Sequence, residues 1–246
     1  MNFRTKIIQR LVHINEGIFF YPKLKKFYIE NLKDNKNLNI LDIGANKGQS
    51  IDFFRAIYPS VKINAFEPNK KLFELLKKKY NLNKNIKIHN LGVSNVAGSL
   101  EFHENILDET STFETLNYDS KYLAKKAKVL GVKVEDIIVD NYSVAVIRLA
   151  DFLNENGNAS YDVLKIDVEG HELACLQGLF MNENMSLPIR FIQLESHNDD
   201  MYLNNTKHVE IEKLLNANGF FKTAEIKHGF GDFAEIIYLN KNINET

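Results

Sequence analysis

The chain has 246 residues, 44% of them hydrophobic, which suits one large α/β domain with a sizeable core. Its 31 Lys and Arg nearly balance 32 Asp and Glu, so a formal charge of -1 gives no field to gather a polyanion, and nucleic acid is not expected as a partner. A single cysteine, Cys175, excludes an internal disulfide, and no stretch approaches the roughly 18 to 20 apolar residues of a membrane span, so a soluble, cytoplasmic protein is expected.

In chain order, residues 3 to 33 carry apolar positions at helical spacing, interrupted at Gly17 and Pro22, and predict two amphipathic helices that cap the domain. DNKN at 34–37 is a polar linker, which divides the chain into a helical cap over 1–37 and a larger domain over 38–246. NILDIG is a short buried strand, residues 48–57 a helix, and VKINAFEP a second strand stopped by Pro68. KKLFELLKKKY is a helix with Leu72, Leu75 and Leu76 on one face, and IKIHNLGVS a third strand. GSLEFHE is a short extra strand. Residues 105–130 blur into loop and a short helix, and KVEDIIVDNYSVAVIRLADFL holds extended pieces before a helix that starts at Asp151. VLKID, from 163, and IRFIQLESH are further strands, each followed by a helix, and GFFKTAEIK with FAEIIYLN closes the chain as an antiparallel hairpin. Alternating strands and helices ending in a hairpin imply a mostly parallel sheet with helices on both faces.

The loop LDIGANKG places Asp42, Gly44, Ala45, Asn46 and Gly48 between the first strand and a helix, where small residues and free N–H groups admit a nucleotide-like ligand. Glu67 ends the second strand, in position to accept the hydroxyls of a ribose. The G-x-G-x-x-G spacing of a dinucleotide fold is absent. An Asp two residues before the first Gly is awkward beside a pyrophosphate but suits a cationic amine, such as that of S-adenosylmethionine. The plainer alternative is that Asp42 and Glu67 cap neighbouring helices.

LDIGANKGQS, FEPN at 66–69, NLGVSN at 90–95, STF at 111–113 and, above all, LKIDVEGHELACLQG at 164–178 occur together in one order, and in them the chain resembles the FkbM family of S-adenosylmethionine-dependent methyltransferases. The resemblance spans about residues 38–200 and implies a class I methyltransferase fold, Rossmann-like, with a seven-stranded, mostly parallel sheet whose last strand is antiparallel. It also implies O-methylation of a hydroxyl on sugars or polyketide-type natural products, here expected to be a glycan or glycan precursor. Carried over by position, Asp42, Gly44, Ala45, Asn46 and Gly48 would line the methionine and ribose side. Glu67 and Pro68 would hold the ribose, and the turn from Asn90 through Gly92 to Ser94 would border the adenine. An N-methyltransferase is disfavoured, since IDVEG stands where an Asn-Pro-Pro-Tyr type tetrapeptide would serve an exocyclic amine.

For methyl transfer to a hydroxyl, alignment supplies most of the rate and a base helps to remove the proton. Strand alternation puts Asp167 and Glu169 on one face, and the next strand exits through Glu195, Ser196 and His197. Asp167 is expected to face both cofactor methyl and substrate, His197 to act as general base, and Glu169 or Glu195 to orient substrate hydroxyls. His171 reads as a surface residue at a helix start, and Ser111 and Thr112 as either a cover for the cofactor or an ordinary turn. Asp167, Glu169, Glu195 and His197 also offer hard ligands for Mg²⁺, but no recognised metal-ligand spacing marks them, so no metal site is assigned. The lysines of KKLFELLKKK and KYLAKKAK read as solvated helix faces, and Cys175 as a small buried thiol. A homo-oligomer is compatible with the sequence.

Overall fold

The computed structural model describes residues 15–32, 37–157, 159–181, 187–196, 200–203, 208–229 and 233–243. His197 and the first 14 residues of the expected cap lie outside this range. Residues 15–19 are helical, and a first full helix follows, α1 (Tyr21–Asn31), with Pro22 in its opening turn, where a missing N–H costs nothing. Gly17 therefore does not interrupt the helix, and Pro22 opens one.

Seven strands form the main sheet: β1 (Asn39–Ile43), β2 (Lys62–Phe66), β3 (Ile86–His89), β7 (Tyr161–Ile166), β8 (Ile189–Ser196), β9 (Phe220–Lys227) and β10 (Ala234–Asn240). Their order is β3-β2-β1-β7-β8-β10-β9, with β10 antiparallel to both neighbours and parallel pairing from β3 through β8. The reversed last strand and the closing hairpin are those expected. Buried on both faces, the central strands read as near-continuous apolar runs, such as Val163, Leu164 and Ile166 in β7.

Alternation along the strands sorts the core into two layers. Leu41, Ile43, Leu164 and Ile166 pack with α5 (Leu149–Glu155), α6 (Glu172–Leu179) and α7 (His208–Ala217). Ile40, Ile63, Val163 and Ile237 face the other way, toward α1, α2 (Gln49–Ile57) and α3 (Lys70–Lys79). Cys175 is fully buried, its thiol directed at the Val93 carbonyl, and burial holds its pKa well above the ordinary value. No helix among the described residues is long and apolar enough to cross a membrane.

Four local expectations need correction. Leu72 and Leu76 of α3 are buried, but Leu75 is 43% exposed: on a helix with only a narrow face against the sheet, i and i+4 share the contact and i+3 falls outside it. The third strand stops at His89, because Asn90 donates from Nδ2 to the carbonyls of Glu67 and Pro68 and turns the chain away. Gly92–Val93 (β4) then joins a second sheet with β5 (Gly98–Asn105) and β6 (Ile138–Ile147), in the order β4-β6-β5. The short extra strand is thus eight residues of a three-stranded insertion, backed by α4 (Lys121–Leu130) and a small core around Leu116, Leu123 and Tyr202. Finally, α5 starts at Leu149, with Asp151 in its first turn 2.6 Å from Arg148 Nε.

Candidate active site

A cavity of about 300 Å³ opens at the C-terminal ends of β1, β2, β7 and β8 and the N-terminal end of the reversed β10. One end is built on the loop after β1. Gly44, at φ +85°, brings this loop so close to the exit of β7 that an added Cβ would lie 1.9 Å from the Asp167 carbonyl oxygen. Asn46 is also left-handed, at φ +46°, and its N–H donates to Glu67 Oε2 at 2.7 Å, while Glu67 Oε1 accepts from Asn69 N at 2.8 Å. Glu67 thus fastens the loop to the start of α3 and lines the cavity with Ala45, Asn46 and Pro68. Across from them, Leu91, Gly92, Phe102 and Phe113 make an apolar slot. Only glycine fits at 92, where a Cβ would fall 2.4 Å from the Phe113 ring.

Other residues expected on this wall stand behind it. Asp42 is buried on the α1 side of β1, with neither carboxylate oxygen hydrogen-bonded among the described residues. Burial pushes its carboxyl up to about 6, against the pull of Lys165. Gly48 is the N-cap of α2 and packs on Tyr80. Asn90 braces the turn after β2, and Ser94 accompanies His171.

The acidic end forms differently from the expectation. β7 stops at Ile166, and Glu169 takes φ +53°, so the turn and not strand alternation brings the carboxylates together. One oxygen each of Asp167, Glu169 and Glu195 lies within 4.8 Å of the others. Glu169 is held there by Thr112, whose hydroxyl donates to its carbonyl at 2.7 Å, and by Tyr202, whose hydroxyl donates to Oε2 at 3.2 Å. Ser111 accepts from Asn105 N and, with Thr112, lines the cavity.

His171 corrects the expectation of a surface residue: it begins α6 but is buried, with Nδ1 2.7 Å from Glu114 Oε1 and Nε2 2.9 Å from Ser94 Oγ. The Ser-His-Glu geometry resembles a nucleophile relay, yet Ser94 is 1% exposed and does not reach the cavity, so it works as a clasp between the insertion and α6.

Three residues at this end carry chemistry that the motif reading passed over. Lys165, the next-to-last residue of β7, donates to Asp167 Oδ2 at 2.7 Å. Burial opposes its charge, but the carboxylates of Asp167, Asp42 and Glu235 together hold its pKa above the usual lysine range. Gln193 pairs with Lys165 across β7 and β8 and accepts from the Tyr28 hydroxyl at 2.5 Å. Glu235 lies opposite Glu195 in β10. The signal for Lys165 and Glu235 was a charged residue inside an otherwise apolar strand, which demands a partner. On the same side, Glu16, Phe20, Tyr21 and His228 complete the wall, with Phe20 stacked on His228 at 4.0 Å between centroids.

The Methyltransferase FkbM domain profile matches residues 42–222. Similar curated proteins include the 31-O-demethyl-FK506 methyltransferase FkbM of Streptomyces tacrolimicus, 28% identical over 200 residues, 76% of this chain and 74% of that one. The 2-O-methyltransferase NoeI of Sinorhizobium fredii is 24% identical over 197 residues, 79% and 78% of the two chains. Among solved structures, magnesium protoporphyrin IX methyltransferase (ChlM) from Synechocystis PCC 6803, with bound S-adenosylmethionine, shares the fold at a TM-score of 0.51 and 16% identity, over 97% of this chain and 83% of that one. With most of its length inside that profile, the chain belongs to the FkbM family of S-adenosylmethionine-dependent methyltransferases.

Proposed function

We propose that this enzyme methylates a hydroxyl of a sugar, in a glycan or a glycan precursor of the surface-polysaccharide or nucleotide-sugar type. The observation that carries the reading is one continuous cavity that joins the loop of Gly44, Ala45 and Asn46 to the carboxylates at the ends of β7 and β8. S-adenosylmethionine, when bound, supplies a methyl group already activated by its sulfonium charge. The residues at the loop end suit it: Glu67 and Asn46 for the ribose, and Pro68, Leu91, Gly92 and Phe113 for a flat apolar ring. At the other end Asp167, Glu169, Glu195 and Gln193 offer acceptors for several hydroxyls, and Phe20 and Tyr21 offer faces for a sugar ring. Lys165 keeps Asp167 in place, where its carboxylate can accept the hydrogen bond, and then the proton, of a hydroxyl set against it. His197, expected as the base, lies outside the described residues.

An apolar natural-product alcohol is the second reading, favoured by the aromatic side of the cavity at Phe20, Tyr21 and Phe53. Calorimetry with S-adenosylhomocysteine, followed by mass spectrometry of sugar and polyketide alcohols, tests both. We expect wild type and Asp167→Asn to bind S-adenosylhomocysteine alike, and only wild type to add one methyl mass to a sugar. Absent binding would retire the enzyme reading for this cavity, methylation of polyketide alcohols alone would retire the sugar, and unchanged turnover by Asp167→Asn would remove the role of Asp167.

A further inference from the structure

We propose that Asp167, Glu169 and Glu195, with Glu235 beside them, hold a hard divalent cation, Mg²⁺ or Mn²⁺, at the acceptor end of the cavity. The inference deepens the function proposed above and rests on its placing the acceptor hydroxyls at this end. Oxygen donors from Asp167, Glu169 and Glu195 within 4.8 Å of one another match the span of a single ion with metal–oxygen bonds of roughly 2.0–2.6 Å, after small rotations of the side chains.

A cluster of acids alone would not carry this, since solvated carboxylates commonly gather without an ion. Glu235 is the independent observation. It is 4% exposed, and its Oε2 has no hydrogen-bond partner among the described residues. It lies directly opposite Glu195 in the β8–β10 ladder and lines the same cavity, so its carboxylate stands beside Glu195 and within the field of Asp167. A buried carboxylate without a partner is costly, and two carboxylates set across a ladder repel each other. Among the described residues, Lys165 donates to Asp167 at 2.7 Å, and His228 Nε2 stands 4.0 Å from Glu195. Carboxyl groups crowded in a partly enclosed site repel one another once ionised, and a bound dication would relieve that repulsion.

The donor set selects the ion. All three ligands are oxygens, with neither thiolate nor imidazole among them, which disfavours Zn²⁺ and suits Mg²⁺ or Mn²⁺. Such ions keep several positions for water or substrate, and these would be taken by neighbouring hydroxyls of the acceptor. A hydroxyl on the ion loses its proton more readily, and the proton passes to a carboxylate of the site or to water. No redox change or co-reactant is involved.

Titration of the purified full chain with MnCl₂, followed by the electron paramagnetic resonance signal of free Mn²⁺ and by calorimetry, tests the site without reference to turnover. We expect saturable binding of one Mn²⁺ per chain, competed by Mg²⁺, weakened at least tenfold in Glu195→Gln and several-fold in Glu235→Gln. S-adenosylhomocysteine titrated in parallel reports on the other end of the cavity and confirms that each variant is folded. Absence of saturable Mn²⁺ binding with intact S-adenosylhomocysteine binding would overturn the metal site and leave the methyltransferase reading standing. Mn²⁺ binding that both variants leave unchanged would overturn it as well, by placing the ion elsewhere.

Discussion

Glu67 shows how one side chain can serve the loop and the ligand at once. Each of its carboxylate oxygens already accepts a backbone N–H, from Asn46 and from Asn69, and a carboxylate oxygen has a further lone pair to offer. The ribose role expected from its place after β2 and the capping role set against it are therefore compatible. Glu67→Gln replaces one acceptor by an NH₂ group facing a backbone donor, which costs about 1.5–3 kcal/mol for a charged hydrogen bond. We expect a lower melting temperature together with at least tenfold weaker binding of S-adenosylhomocysteine by calorimetry. Lower stability with undiminished affinity would leave Glu67 as a brace only. Its position was legible in the sequence because strand ends are; its backbone partners were not, since an N–H carries no residue-type signal.

At the scale of elements, the insertion between β3 and α5 is tied to the acidic turn by two clasps, Thr112 to the Glu169 carbonyl and His171 between Glu114 and Ser94. The same segment carries Phe113, whose ring fills the space that glycine leaves at 92. His171→Ala would strand the buried Ser94 and the half-buried Glu114 and open a void beside the Phe113 ring, 5.2 Å away between centroids. A loss of about 2–4 kcal/mol follows from the unmade hydrogen bonds and the lost packing. We expect chemical denaturation to show it, and fluorescence-detected or calorimetric titration to show S-adenosylhomocysteine binding weakened as the apolar slot loosens. Undisturbed cofactor affinity would mean that the clasp holds the insertion without shaping the slot. DVEGHE was legible as chemistry but not as geometry. Strand alternation was the natural guess for Asp167 and Glu169, whereas a left-handed Glu169 and partners 57 and 77 residues away from His171 decide the arrangement. The second sheet was hidden for a related reason: β6 has one exposed face and reads as scattered extended pieces until β5 is laid beside it.

At the scale of the molecule, the mostly parallel sheet followed from the alternation of strands and helices, and its reversed last strand from the closing hairpin and the family motifs. The relation of the N-terminal helices to the sheet was less legible, since an amphipathic stripe says that a face is buried and not against what. In the structure Phe20, Leu24, Tyr28 and Leu32 belong to the same core layer as Ile40, Ile63, Phe54 and Phe191, and Tyr28 is fully buried with its hydroxyl on Gln193 of β8. We therefore propose that α1, though placed outside the matching region by sequence, folds with the sheet as one cooperative unit. Tyr28→Ala should cost about 3–5 kcal/mol, as for other buried aromatic truncations, and should lower a single melting transition seen alike by far-UV circular dichroism and calorimetry. S-adenosylhomocysteine, bound at the loop of Gly44, should raise that same transition, because mass action on one native state stabilises everything that unfolds with it. If a separate early transition appeared that the ligand did not move, or if a chain lacking residues 1–37 melted and bound the ligand as the full chain does, α1 would be an independent lid and not part of the core.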